Sequence, residues 1–180
     1  MPRYRTLKLQ LFWIALLLTA AVLAAEPNEP TMSSPCIFCE IVAGRSPVSR
    51  VYEDDSILAF MDIHPAVSGQ CLIIPKEHID HFTDVDDRTS QHIMLVAQHI
   101  GRRMREVFQP LRTGMVVHGF GVAHAHLILI PQHHHNDITS RRFARIEGDD
   151  VIFTRRDIPL TERSILDAQA EMLRMERIEG

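Results

Sequence analysis

Val122-Ala-His-Ala-His-Leu-Ile-Leu-Ile-Pro131 sets two histidines at i and i+2 in an apolar, β-prone run that ends at a proline. Alternate residues of a strand point to the same face, so the spacing predicts a strand over 122–130 with His124, His126 and Ile128 in one row. Ala123, Ala125, Leu127 and Leu129 then fall on the opposite face, which must be buried. A strand of this kind presents paired imidazoles away from the core, and such pairs serve as nucleophile, general base or metal ligand. Histidines on a strand also occur as hydrogen-bonded, partly buried side chains. Other segments decide between these readings.

Upstream, Val51-Tyr-Glu53 and Ser56-Ile-Leu-Ala-Phe-Met-Asp-Ile63 flank the turn signal Asp54-Asp55, and Gln70-Cys-Leu-Ile-Ile-Pro75 follows a turn over Pro65 to Gly69. These runs predict an antiparallel meander. From about Asp86 to Phe108 the period changes, because Ile93, Val96, Ala97, Ile100, Met104 and Val107 form the stripe of an amphipathic helix that Pro110 stops. Met115-Val-Val-His118 returns to strand. A short helix or turn is expected around Glu40 to Ala43, and Thr161 is placed to cap a second helix over 162–178 that buries Ile165, Leu166, Met172 and Leu173. Strands, helix and strands in this order predict an α+β domain, an antiparallel sheet of about five strands with one long helix and a C-terminal helix.

A chain of 180 residues holds one ordinary domain with a real core. Its net charge of -4, with both signs mixed along the chain, leaves no basic footprint for nucleic acid and favours a small-molecule ligand. Residues 1–31 stand apart: Arg3, Arg5 and Lys8 precede the apolar run Leu11 to Ala25, in the order of a secretory signal. That run is short for a stable span, which wants roughly 20 residues. Met32-Ser-Ser-Pro-Cys-Ile-Phe-Cys39 also reads as a natural domain start, in which case 1–31 is an upstream extension and the protein is cytoplasmic. The expected organisation is thus a signal-like or upstream segment over 1–31, a domain over 32–140 and a helix-bearing tail over 141–180.

Cys36-Ile-Phe-Cys-Glu-Ile-Val-Ala-Gly44, Ala59-Phe-Met-Asp-Ile-His-Pro65, Gly69-Gln-Cys-Leu-Ile-Ile-Pro-Lys-Glu-His78 and the His124 run, in this order and spacing, resemble the histidine triad family of nucleotide-binding hydrolases and transferases. The family motif alternates three histidines with apolar residues; here it reads His124-Ala-His126-Leu-Ile128-Leu-Ile, so the third histidine is isoleucine. The resemblance implies hydrolysis or nucleotidyl transfer on phosphoramidate or dinucleoside polyphosphate substrates, with His126 as the nucleophile that attacks an α-phosphorus. It places Asp62 on the ribose hydroxyls, a task suited to an acceptor-only carboxylate, with Phe38 and Ile63 as apolar walls. Gln70 stands where the family often has histidine and is available as a substitute donor toward phosphate. Without the third histidine a donor is lost, worth on the order of 10²-fold in rate. The other reading is a nucleotide-binding protein whose catalysis is weak or lost. His133, His134 and His135 are expected to be a solvated loop.

Cys36-x-x-Cys39 alone is open between a zinc half-site, a redox disulfide and chance. The resemblance adds His78 and His124, which with Cys36 and Cys39 make a closed, structural Cys₂His₂ zinc set. Reduced thiols suit a cytosol better than an oxidising exterior, which favours the Met32 start. Cys71 reads as a small buried hydrophobe. A symmetric homodimer is also implied by the resemblance.

Overall fold

Five short strands form one antiparallel sheet in the order β1-β2-β3-β5-β4: β1 Arg50–Glu53, β2 Ile57–Met61, β3 Cys71–Pro75, β4 Arg112–Val117 and β5 Leu127–Gln132. The computed structural model describes residues 36–137, 144–153 and 158–178, all within one unit, Pro35–Gly180. The signal-like segment 1–31 and parts of the 141–180 tail lie outside the described residues.

β2 and β3 are apolar throughout because both faces are covered. Ile57, Ala59, Met61, Cys71 and Ile73 face a core completed by Val96, Ala97, Ile100 and Met104 of the long helix. Leu58, Phe60, Leu72 and Ile74 face Phe38 and Ile41 of α1, Ile37–Val42, on the other side. Period-2 alternation therefore sorts two apolar sets to two cores rather than to core and solvent. The long helix, α2, runs Asp87–Phe108; Asp86 caps it by accepting from Thr89 N at 3.1 Å, and Gln109 ends it in the left-handed conformation ahead of Pro110.

Gly69, in the turn between β2 and β3, has φ +91, and a Cβ there would meet the Phe108 ring at 2.6 Å. Glycine is thus required twice, by backbone conformation and by space. Where β1 meets β2, Asp54 accepts from Tyr52 Oη at 2.7 Å, from the Ser56 and Ile57 amides at 2.8 Å each, and pairs with His92 Nε2 of α2 at 2.5 Å. Burial alone would raise the Asp54 pKa, but the hydrogen bonds from His92, Tyr52 and the two amides outweigh it and hold the carboxyl well below its usual range. Burial, then the bond to Asp54, pushes Tyr52 up to about 12.

The second helix, α3, is shorter than the sequence predicts, Arg163–Leu173 rather than 162–178, and Glu162 rather than Thr161 takes the N-cap position. Beyond it the chain leaves helical geometry, and Met175 N donates to Val51 O while Ile178 N donates to Tyr52 Oη. Backbone partners on β1 replace the last helical turns. The buried side of α3 is Leu166, Gln169, Ala170 and Leu173; the expected Ile165 and Met172 are exposed. A hairpin of β6, Ala144–Glu147, and β7, Asp150–Phe153, turns at Gly148 and was not anticipated. Among the described residues no helix is long and apolar enough to cross a membrane.

Candidate active site

The strand carrying the histidines starts later than expected, at Leu127 rather than Val122, and continues through Pro131 to Gln132. Ahead of it the backbone groups leave the ladder: His124 N donates to Val122 O and Ala125 N to Ile79 O. Ala123 is accordingly exposed instead of buried. Pro131 is tolerated because the pairing of β5 with β3 has ended at Cys71↔Leu129. His124 and His126 nonetheless share a side, since both meet the edge of the Phe38 ring, at 5.7 and 5.5 Å between centroids. Ile128 packs in the same cluster as Phe38.

His126 is buried, and its Nδ1–H donates to the carbonyl of His124 at 2.7 Å. That bond fixes the tautomer and leaves the lone pair of the neutral ring on Nε2. His126 borders a cleft of about 140 Å³ together with Asp80, His81, Val117, His118 and Val122. A second cleft, of about 410 Å³, is lined by Phe38, Ile41, Phe60, Leu72, Asp62 and Ile63, and Val122 borders both. Phe38 therefore stands between the wall of the larger cleft and the His126 ring.

Asp62 is 1% exposed, and its carboxylate accepts from His64 N at 2.9 Å and from Gln70 Nε2 at 2.7 Å. The other end of the Gln70 amide accepts from Ala66 N at 3.1 Å. Gln70 thus stands behind Asp62 and aims it, away from the lining of either cleft. His133, His134 and His135 form an exposed loop in which the His133 and His134 amides donate to Asp137. The length of β5 holds that loop about 20 Å from His126.

Cys36, Cys39, His78 and His124 converge, with one ligand atom from each lying within 4.8 Å of the others. Cys36 Sγ to His124 Nδ1 is 3.6 Å, Cys39 Sγ to His124 Nδ1 is 3.7 Å, and Cys39 Sγ to His78 Nδ1 is 3.2 Å. A tetrahedral zinc with ordinary bond lengths would set sulfur and nitrogen about 3.5 Å apart, so the donor set fits that ion. His124 Nε2–H donates to Pro75 O at 2.9 Å, which turns Nδ1 toward the sulfurs. Burial lowers the His124 pKa, opposed by the Pro75 bond and aided by the neighbouring His78 and His126, a shift in the direction of the neutral ring that a ligand must be. Burial, then the hydrogen bond and charge of Cys36, raises the Cys39 thiol. Cys71 is buried and its thiol pushed well up, by burial and then by the charge of Asp62, which makes it inert core.

Fold and clefts together define a small α+β protein that aligns an imidazole by its own backbone beside an apolar, carboxylate-bearing pocket. The HIT domain model matches residues 43–135, and the chain belongs to that family. It is 35% identical over 107 residues to "Protein hit" of Bacillus subtilis, covering 57% of this chain and 74% of that one. It is 37% identical over 101 residues to the adenosine 5'-monophosphoramidase hnt1 of Schizosaccharomyces pombe, covering 54% and 74%. The crystal structure of a Zn-bound histidine triad family protein from Mycobacterium smegmatis superposes with a TM-score of 0.58 at 27% identity, over 78% of this chain and 91% of that chain.

Sequence reasoning missed Val122 and His118 as neighbours of His126, and Arg163 as a lining residue of the larger cleft. For Val122 the signal was its place just ahead of the histidine run. Arg163 carried none, since α3 reaches the cleft only through the fold.

Proposed function

We propose that the protein is a hydrolase or nucleotidyl transferase acting on nucleoside phosphoramidates or related nucleotide conjugates through His126. The observation that carries this reading is the 2.7 Å bond from His126 Nδ1–H to the His124 carbonyl, with His126 lining the smaller of two clefts that share Val122. With Nδ1 held as a donor, Nε2 attacks the α-phosphorus and the ring becomes a nucleotidyl-imidazolium as the phosphorus–nitrogen bond breaks, the amine leaving with a proton taken from solvent because Ile128 has none to give. Water then hydrolyses the nucleotidyl-imidazolium and restores the neutral ring. Asp62 accepts the ribose hydroxyls, Phe38 and Ile63 enclose the base, and Gln70 orients Asp62. The phosphoramidase activity of the fission yeast relative supports the substrate class.

Cys36, Cys39, His78 and His124 hold a zinc ion in this reading, a reading supported by the Zn-bound mycobacterial neighbour. With every position filled by protein the ion is structural. Its work is to tie α1 to the segment that carries His126. A homodimer would pair along β4, one of the two edge strands of the sheet, where Met115 and Val117 are exposed; sedimentation tests it.

Intact-protein mass spectrometry after brief incubation with adenosine phosphoramidate and an acid-free quench decides the mechanism. A nucleotidyl increment in the wild type that is absent from His126→Ala is the expected result. A second reading, nucleotide binding without turnover, is favoured by the apolar packing of Ile128. It predicts binding, no increment and no released monophosphate.

A further inference from the structure

We propose that Arg163 reads the base and directs the cleft toward guanine nucleotides; this rests on the nucleotide reading of the cleft above. Arg163 opens α3, lies beyond the segment matched by the HIT domain model, and lines the 410 Å³ cleft with Asp62, Ile63, Ser46, Pro47 and Val48. Its guanidinium is fixed: Nη1 donates to Ser49 Oγ at 3.0 Å and Nη2 to Pro47 O at 3.3 Å. Ser49 Oγ in turn donates to Asp167, one helical turn further along α3, at 2.5 Å. Thr161 N donates to Ile63 O at 2.9 Å and Met61 N to Ser49 O at 3.0 Å, so the chain around Arg163 is tied to the walls on both sides.

The charge pattern follows. Asp62 supplies the carboxylate at one end of an otherwise apolar cleft, and Arg163 supplies the cation. With the ribose on Asp62 and the base between Phe38 and Ile63, the lining left for the edge of the base to meet includes Pro47 and Arg163. There Pro47 O already accepts from Arg163 Nη2, which leaves it one lone pair and sets a donor beside it, where an adenine amino group would come. What the site offers is the remaining N–H groups of the guanidinium, since Nη1 and Nη2 each give one hydrogen to Ser49 and Pro47, and a planar set of donors suits adjacent acceptors. Guanine presents O6 and N7 side by side, whereas adenine sets a donor next to N7.

Isothermal titration of the wild type and of Arg163→Met and Arg163→Lys with GMP, IMP and AMP tests this. Wild type is expected to bind GMP and IMP roughly tenfold or more tighter than AMP, because a paired contact of this kind discriminates by that much. Arg163→Met should lose that preference, with GMP and IMP weakened roughly tenfold more than AMP, and Arg163→Lys, with charge but no fork, should not restore it. Equal wild-type affinities, tighter AMP binding, or an equal loss for all three nucleotides in the variant overturns the base reading alone. Failure of the folded wild type to bind any of them overturns the nucleotide reading with it. If Arg163→Met does not fold, the wild-type ratio and the lysine variant still decide.

Discussion

Restoring a histidine at position 128 tests how far the chemistry is limited by the loss of the third donor. Ile128 faces Leu72 on β3 and Val116 on β4, and its side chain is half-buried between the Phe38 cluster and that of Ala66, Val67 and Ile158. Replacing it with imidazole forfeits about half of an isoleucine's burial, about 1 kcal/mol. Part of a polar ring goes into the same place, at about 1–2 kcal/mol more. A loss of about 2–3 kcal/mol lowers the melting temperature by about 5–10 °C in a chain of this size. Against that cost, position 128 lies on the same side of the segment as His126, two residues on. An imidazole there has reach to a phosphate oxygen or a leaving amine, worth about 10² in turnover or more.

The assay is steady-state release of nucleoside monophosphate from a phosphoramidate, run beside a thermal melt at matched zinc. A less stable but faster Ile128→His protein is the expected result. Unchanged or lower kcat in a folded, zinc-loaded variant would refute the reasoning that Ile128 limits the leaving-group step. It would point to a substrate whose leaving group needs no proton.

Chelation should destabilise the wild type, since an ion at about 100 times its Kd contributes about 2.7 kcal/mol; a Cys36→Ser protein whose melting point no longer responds to chelator checks the assignment. Tyr52 gives a pH signature: its folded pKa is raised to about 12, so its contribution is intact below pH 10 and disappears as pH rises from 10 to 12, about 3 kcal/mol in all. Tyr52→Phe should flatten that alkaline loss in denaturant titrations. Asp54 has the opposite sign, a depressed carboxylate whose contribution is present above about pH 4 and fades as pH falls below it. Gly69→Ala combines positive φ with a clash against Phe108 and should cost about 2–4 kcal/mol in chemical denaturation.

Much of the fold was legible because the apolar periods are strong. The stripe Ile93 to Met104 marks α2, and the continuous runs of β2 and β3 mark central strands. The histidine segment was misread at its start, because alternation alone cannot tell a ladder from an extended approach whose amides go to Ile79 O and Val122 O. The end of α3 was misplaced for a related reason, as Met175 and Ile178 find partners on β1 that no local pattern announces. The four residues of the metal cluster, and Asp62, Phe38 and Ile63 at the larger cleft, came from motifs quoted in order along the chain. Gln70 and Arg163 needed the fold. One is turned by its neighbours toward Asp62, and the other is delivered to the cleft by a helix far along the chain.

Phe38 links the candidate metal set of Cys36, Cys39, His78 and His124 to the clefts. It lies between the two cysteines in sequence, so any ion held by Cys36 and Cys39 also fixes the pitch of α1 and the rotamer of the ring between them. That ring meets Phe60, His124 and His126 edge-on, at 5.6, 5.7 and 5.5 Å, and its other side walls the 410 Å³ cleft. On the proposed reading, loss of an ion from this set would act on catalysis through position, not through charge on the reacting atoms. Phe38→Leu should separate the two effects: the metal set is untouched, so chelator response persists. With the edge contacts to His126 and the base wall both shortened, KM should rise and kcat fall together by about tenfold. A variant with normal kinetics would show that the ring is only core and that the His124 carbonyl alone aligns His126.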